Sequence, residues 1–273
     1  MDIFNLGEAI LSLLEVVFGF WNGQVNMVFE LLGQSPTSFK GGGPWGVITG
    51  IEPIFVVLFF VIGFCSESVD VREEMRFEVI LRMLIRIGIA QWLVVYNVDI
   101  MKAIFTSVGN LVGLIGGSEA TQVTIDPAQA DIIKNLGFVE SLVFLILAVF
   151  LSLIILICGF FLIYNVYFRF LKILVIVPFG SIAYATVAGN RGVSATSVQF
   201  TKYFISVVFE AVTMALAIIL CNTFISSGLP QFTGDYADWT KTLIYLGEMT
   251  FTVALTVGSV KGAQSLTSKA LGL

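Results

Sequence analysis

Residues 3–32 carry apolar side chains at Ile3, Leu6, Ile10, Leu14, Val17, Trp21, Val28 and Leu31, mostly at steps of three or four. That spacing predicts an α-helix. The polar positions between them are Asn5, Glu8, Ser12, Glu15, Gly19, Asn22, Asn26 and Glu30. At about 100° per residue these eight fall within an arc of roughly 100°. The expectation is an N-terminal amphipathic helix and loop over 1–40, with one narrow acidic and amide seam. Such a seam lies in water at the membrane interface, or faces a pore or a sister subunit. No Lys or Arg precedes Lys40, so attraction to anionic lipid does not explain the helix.

Downstream the pattern changes from striped to continuous. After a Gly/Pro/Ser loop at 33–46, apolar runs at 47–65, 79–97, 140–168, 204–225 and 242–260 are each long enough to cross a bilayer. Residues 45–273 are therefore expected to form a transmembrane bundle, the whole chain being a single integral-membrane domain. Residues 99–117 are moderately amphipathic and fit an interfacial helix, and 118–135 is polar loop. Tyr164 and Tyr167 close the strongest run as an aromatic belt.

One segment breaks the pattern. "LKILVIVPFGSIAYATVAGNRG", 171–192, is apolar but holds Pro178, Gly180, Ser181 and Gly189. It is either a Pro-kinked complete helix or a re-entrant segment that enters from the cytoplasm and returns. Charge favours the second. A complete crossing puts Lys261 and Lys269 on the side opposite Arg72, Arg76, Arg169 and Lys172, against the positive-inside rule. A re-entrant segment leaves five spans, with the N-terminus outside and the C-terminus cytoplasmic. The inner face then gathers Arg72, Arg76, Arg82, Arg86, Arg169, Lys172, Arg191, Lys202, Lys261 and Lys269. Only Lys40, Lys102, Lys134 and Lys241 stay outside. Arg82 and Arg86, near the end of their span, are expected to snorkel to the headgroups, and Glu78 to Arg82 is an i,i+4 pair.

Composition sharpens the class. Of 273 residues, 57% are of the AVILMFWYC type and 12% are charged. Mean hydropathy is +0.96. A soluble domain has about 45–50% apolar residues even with Gly counted. The fold class expected is therefore all-α, a polytopic helical membrane protein. The net charge of −5 says little about solubility in that setting.

The inventory of chemistry is thin. There is no His, and Cys65, Cys158 and Cys221 are far apart in apolar runs. These suggest neither a metal site nor a redox pair, and no cofactor is expected. "GGGPWG" lacks the Lys-Ser/Thr of a phosphate-binding loop. The N-terminus carries Asp2, Glu8 and Glu15 and does not read as a signal peptide. Glu52, Glu210 and Glu248 are the acids expected at membrane depth, where they must face protein or water. They suit either a proton or cation path or plain interhelical hydrogen bonds. Basic residues are too thinly spread for a strong nucleic-acid surface.

The stretch 168–219 couples a basic pair (Arg169, Lys172), an apolar run and Pro178 to a small-residue stretch ending at Ala188-Gly189. Ser194 or Ser197 follows, then Phe200, Lys202 and a long helix carrying Glu210. In this it resembles the TrbL-type (VirB-six-like) family, polytopic inner-membrane subunits of bacterial conjugative type IV secretion systems. The chain is similar to the compact versions on mobile genetic elements of Gram-positive bacteria. The resemblance implies a homo-oligomeric ring in the cytoplasmic membrane, a pentamer by preference, acting as channel or base component for DNA transfer, and no enzymatic activity. Its partners would be other secretion subunits, including a VirB-four-type ATPase, with the transferred single-stranded DNA or its relaxase in transient contact. The competing expectation is a small ion-coupled transporter or channel, which would also use a broken segment and intramembrane glutamates. Against it stand a single broken segment and the absence of an inverted repeat.

Overall fold

The striped and continuous apolar patterns both become helix. A computed structural model describes residues 6–34, 44–70, 77–116, 123–189, 191–226 and 238–270. Among them the regular elements are all helical: α1 (Leu6–Gly33), α2 (Pro44–Asp70), α3 (Phe77–Val95), α4 (Asn97–Gly116), α5 (Pro127–Lys134), α6 (Phe138–Ala185), α7 (Arg191–Ser226) and α8 (Asp238–Ala270). Among the described residues five stretches are long and apolar enough to cross a membrane: Leu6–Gly33, Asn97–Gly116, Phe138–Ala188, Val193–Cys221 and Trp239–Ala270. The chain is an all-helical protein with the makings of a multi-pass membrane protein.

The number five coincides with expectation, but the members differ. The runs at 140–168, 204–225 and 242–260 fall in α6, α7 and α8. By length and hydropathy α1 and α4 also qualify, although the sequence pattern suggests interfacial roles for them. α3 does not qualify, because Glu78, Arg82 and Arg86 lie close together in its 19 residues. α3 passes into α4 with little interruption. The Tyr96 N–H bonds to the Trp92 carbonyl at 3.0 Å, and the Ile100 N–H to the Tyr96 carbonyl at 2.9 Å, so the i to i−4 ladder runs on through the boundary.

The re-entrant expectation needs correction. Pro178 lies inside α6, which continues for 48 residues from Phe138 to Ala185. The break comes later, at a 3-10 turn, Thr186–Ala188, followed by extended Gly189. A continuous helix cannot reverse direction, so 171–185 does not enter and return by itself. The returning limb is the first half of α7. Pro removes one N–H from the ladder, but in apolar helices neighbouring groups re-satisfy the freed carbonyls. The Ser181 hydroxyl adds a local bond one turn on, donating to the Pro178 carbonyl at 3.0 Å.

The chain divides into two compact units. The first comprises Met1–Gly33, Leu111–Tyr167 and Ala211–Ser265. Within it α1 buries one face, with Ile10, Leu14, Val28 and Leu32 fully enclosed and Val17 and Trp21 nearly so. α1 packs on α5. Gly7 permits this approach: a Cβ there would stand 2.7 Å from the Ile133 carbonyl oxygen and 2.9 Å from Lys134 Cα. The α6 residues of this unit expose Leu142, Ile146, Phe150, Leu153, Phe160 and Phe161, the surface that a helix offers to lipid.

The second unit comprises Gln34–Asn110, Phe168–Glu210 and Leu266–Leu273. α2 packs on α3, and the 3-10 turn sits against both. Its Phe168–Glu210 portion is a helical hairpin closed by that turn.

Candidate functional site: a buried charge cluster in the hairpin

The hairpin is pinned away from its turn by three charged side chains. Arg169 on α6 has no solvent exposure. Its Nε donates to the Val207 carbonyl at 3.2 Å, and one terminal nitrogen, Nη2, donates to the Val208 carbonyl at 3.2 Å. Its guanidinium lies 5.4 Å from the ring centre of Phe105 on α4 and 5.7 Å from that of Phe170. Planar and weakly hydrated, a guanidinium suits such stacking better than an ammonium. One turn further, Lys172 Nζ reaches Glu210 Oε1 of α7 at 3.4 Å. Glu210 is buried, and Lys172 lies over the ring of Phe168 at 5.2 Å. Both cations act electrostatically on the Glu210 carboxylate.

The sequence pattern places Arg169 and Lys172 among the cytoplasmic-face anchors, and Glu210 among intramembrane acids. The structure brings the three together. The Arg169 side chain does not reach water. Its helical face meets α7, whose carbonyls accept its hydrogen bonds. Two cations around one carboxylate leave one positive charge in excess, enclosed by aromatic rings. Chemically this is a clamp between two helices.

Toward the turn the packing is close. Gly180 is buried against α4, where a Cβ would stand 2.7 Å from Asn97 Oδ1. The Thr186 hydroxyl donates to the Ala183 carbonyl at 2.6 Å, and the Gly189 N–H to the Thr186 carbonyl at 3.0 Å. Gly189 has φ −77° and ψ 179°, a backbone that any residue adopts, so positive φ is not its reason for being Gly. Tyr184 and Phe200 meet edge to face, with ring centres 5.8 Å apart. An open groove of about 780 Å³ lies along the limbs, lined by Phe179, Ala183, Thr186, Val193, Phe200 and Lys202 among others.

The remaining expected residues scatter. Arg82 and Glu78 form the i,i+4 pair at 3.5 Å, with side chains 60% and 78% exposed. Arg86 is half-buried and Lys202 exposed. Glu248 is half-buried on α8. Arg72, Arg76 and Asn5, and the side chains of Glu52 and Arg191, lie outside the described residues.

On α1 the seam residues Glu8, Ser12, Glu15, Asn26 and Glu30 are exposed. Asn22 is the exception. Its Nδ2 donates to the Val123 carbonyl at 2.9 Å, and its Oδ1 accepts from the Val123 N–H at 3.0 Å. The Tyr245 hydroxyl on α8 holds the same strand-like segment. It donates to the Thr124 carbonyl at 3.3 Å and accepts from the Asp126 N–H at 3.0 Å. Sequence reasoning missed this strap, since its partners are 101 and about 120 residues apart.

Comparison of the chain with protein-family models, with curated proteins and with solved structures finds no match.

Proposed function

We propose that this chain is a membrane subunit of a conjugative type IV secretion machine. In this reading it forms a homo-oligomeric ring, pentameric by preference, in the bacterial cytoplasmic membrane. One observation supports it above others. The residues that carry the TrbL-like resemblance, strung over 168–219, converge in three dimensions. Arg169, Lys172 and Glu210 clamp the hairpin, while Pro178, Gly180 and Gly189 lie toward its turn. A sequence pattern that folds into one device is better explained by a shared role than by chance apolar composition. The ion-coupled alternative loses ground, because Glu210 is engaged by Lys172.

The accompanying topology has α2, α3 with α4, α6, α7 and α8 as crossings. Residues 118–135 and 227–241 are outside, and 189–202 and 262–273 cytoplasmic. Two experiments test the reading. Single-Cys labelling with a membrane-impermeant maleimide checks the sides; labelling of position 190 from outside sinks this topology. Deletion of the gene from its element, with complementation by wild type or Arg169→Ala, checks the role. Transfer should vanish in the deletion, return with wild type and stay absent with the variant. Undiminished transfer in the deletion overturns the assignment. Co-purification of a VirB-four-type ATPase with the tagged chain checks the partner.

A further inference from the structure

α1 has the length and hydropathy of a crossing helix, yet its surroundings are wrong for lipid. Its apolar face is enclosed by the protein, and its exposed face, which includes Val16 and Met27, carries Glu8, Ser12, Glu15, Asn26 and Glu30. Beside it runs the strap, where residues 123–126 are non-helical and Thr124 and Asp126 are exposed. Non-helical backbone at membrane depth persists only where protein or water covers it. Along α1 the strap reaches from Asn22, bonded to Val123, back to Gly7, packed on α5 at Ile133 and Lys134. Fifteen residues of helix at about 1.5 Å each make roughly 22 Å. The hydrocarbon core is about 30 Å thick.

The depth of this polar wall follows from its neighbours. Phe20 and Gln24, flanking Asn22 on α1, pack at Gly159 of α6, and Phe20 meets the Phe160 ring at 5.6 Å between centres. At that level α6 turns Ile157, Phe160 and Phe161 outward, 47%, 65% and 55% exposed. The first unit thus presents a polar wall and a lipid-type wall at the same height.

We infer that α1 and the 123–134 strap line a water-filled vestibule that enters the membrane from the side holding the strap. The inference depends on the multi-pass reading alone and not on the secretion role. The lining carries more acid than base, so the vestibule favours water, cations and neutral polar solutes over anions.

Nitroxide labels at Asn26→Cys, Thr124→Cys, Ile157→Cys and Phe161→Cys test it, on full-length protein freed of its native cysteines and reconstituted in phosphatidylcholine vesicles. All four positions are exposed or interact only weakly with the fold, and size-exclusion profiles check that each variant stays assembled. The polar nickel chelate should relax labels at 26 and 124 several-fold more than those at 157 and 161, and oxygen should do the reverse. Oxygen-dominated relaxation at 26 and 124 means a dry wall and overturns the vestibule. Nickel access at 157 and 161 means that this level lies outside the hydrocarbon, and overturns it equally.

Discussion

Lys172 and Glu210 stand 38 residues apart in sequence and 3.4 Å apart in space, one on each limb of the hairpin. Removing one member of a buried pair leaves the other uncompensated, at a cost of roughly 3–5 kcal/mol. Lys172 keeps a side-chain exposure of 26%, which places Lys172→Met at or below the lower end of that range. Glu210→Lys gathers three cations and should remove folded protein from the membrane. The exchange Lys172→Glu with Glu210→Lys restores one attractive pair, so it should recover part of the loss. Detergent melting temperature and membrane yield measure both. Equal yields for Glu210→Lys and wild type would show that the pair does not matter.

Arg169→Lys keeps the charge and loses the fork that reaches two carbonyls and stacks on Phe105. The variant should lower the melting temperature clearly. Arg82→Ala removes an exposed pair worth about 0–1 kcal/mol, so it should hardly move it. Thermal unfolding of the two side by side gives the comparison, and similar shifts would contradict the buried geometry.

Gly180 and Gly189 should respond differently to Ala. At Gly180 the new Cβ presses on Asn97, and overpacking of this kind costs about 1–3 kcal/mol. At Gly189 it would meet Val193 Cβ at 3.1 Å and the Thr186 carbonyl at 3.2 Å on an unstrained backbone. A small shift of Val193 relieves the first contact, and the Thr186 carbonyl must give by a few tenths of an ångström. Melting temperatures should rank wild type, then Gly189→Ala, then Gly180→Ala.

Asn22→Leu removes both hydrogen bonds that hold Val123. At about 0.5–1.5 kcal/mol each, the loss should be roughly 1–3 kcal/mol and local to the strap. Limited proteolysis should then cut near 123–126 at protease levels that spare the wild type. An unchanged cleavage pattern would show that Tyr245 alone suffices to hold the strap.

The legible part of this molecule was periodic. The steps of three and four in residues 6–32 yield α1 and its seam, and the continuous apolar runs yield α6, α7 and α8. The i,i+4 spacing yields Glu78 with Arg82. What sequence hid was tertiary. Pro178 looks like a breaker because intrinsic propensity knows nothing of α4 packed at Gly180. Arg169 looks like an interface anchor because nothing local says that its face meets α7. Asn22 looks like one more seam residue, since Val123 lies 101 residues away, beyond α2, α3 and α4.

The Arg169 clamp also has a history within each molecule's synthesis. Its acceptors, the Val207 and Val208 carbonyls, lie 38 and 39 residues downstream. At about 5–20 residues per second, the ribosome needs roughly 2–8 s to supply them. Throughout that interval the guanidinium belongs to a very apolar helix and has no partner on α7. The nascent chain must keep this stretch hydrated or chaperoned by the insertion machinery, and release it only once the returning limb exists. Order of synthesis thus puts the clamp last: it closes only after Val207 and Val208 exist.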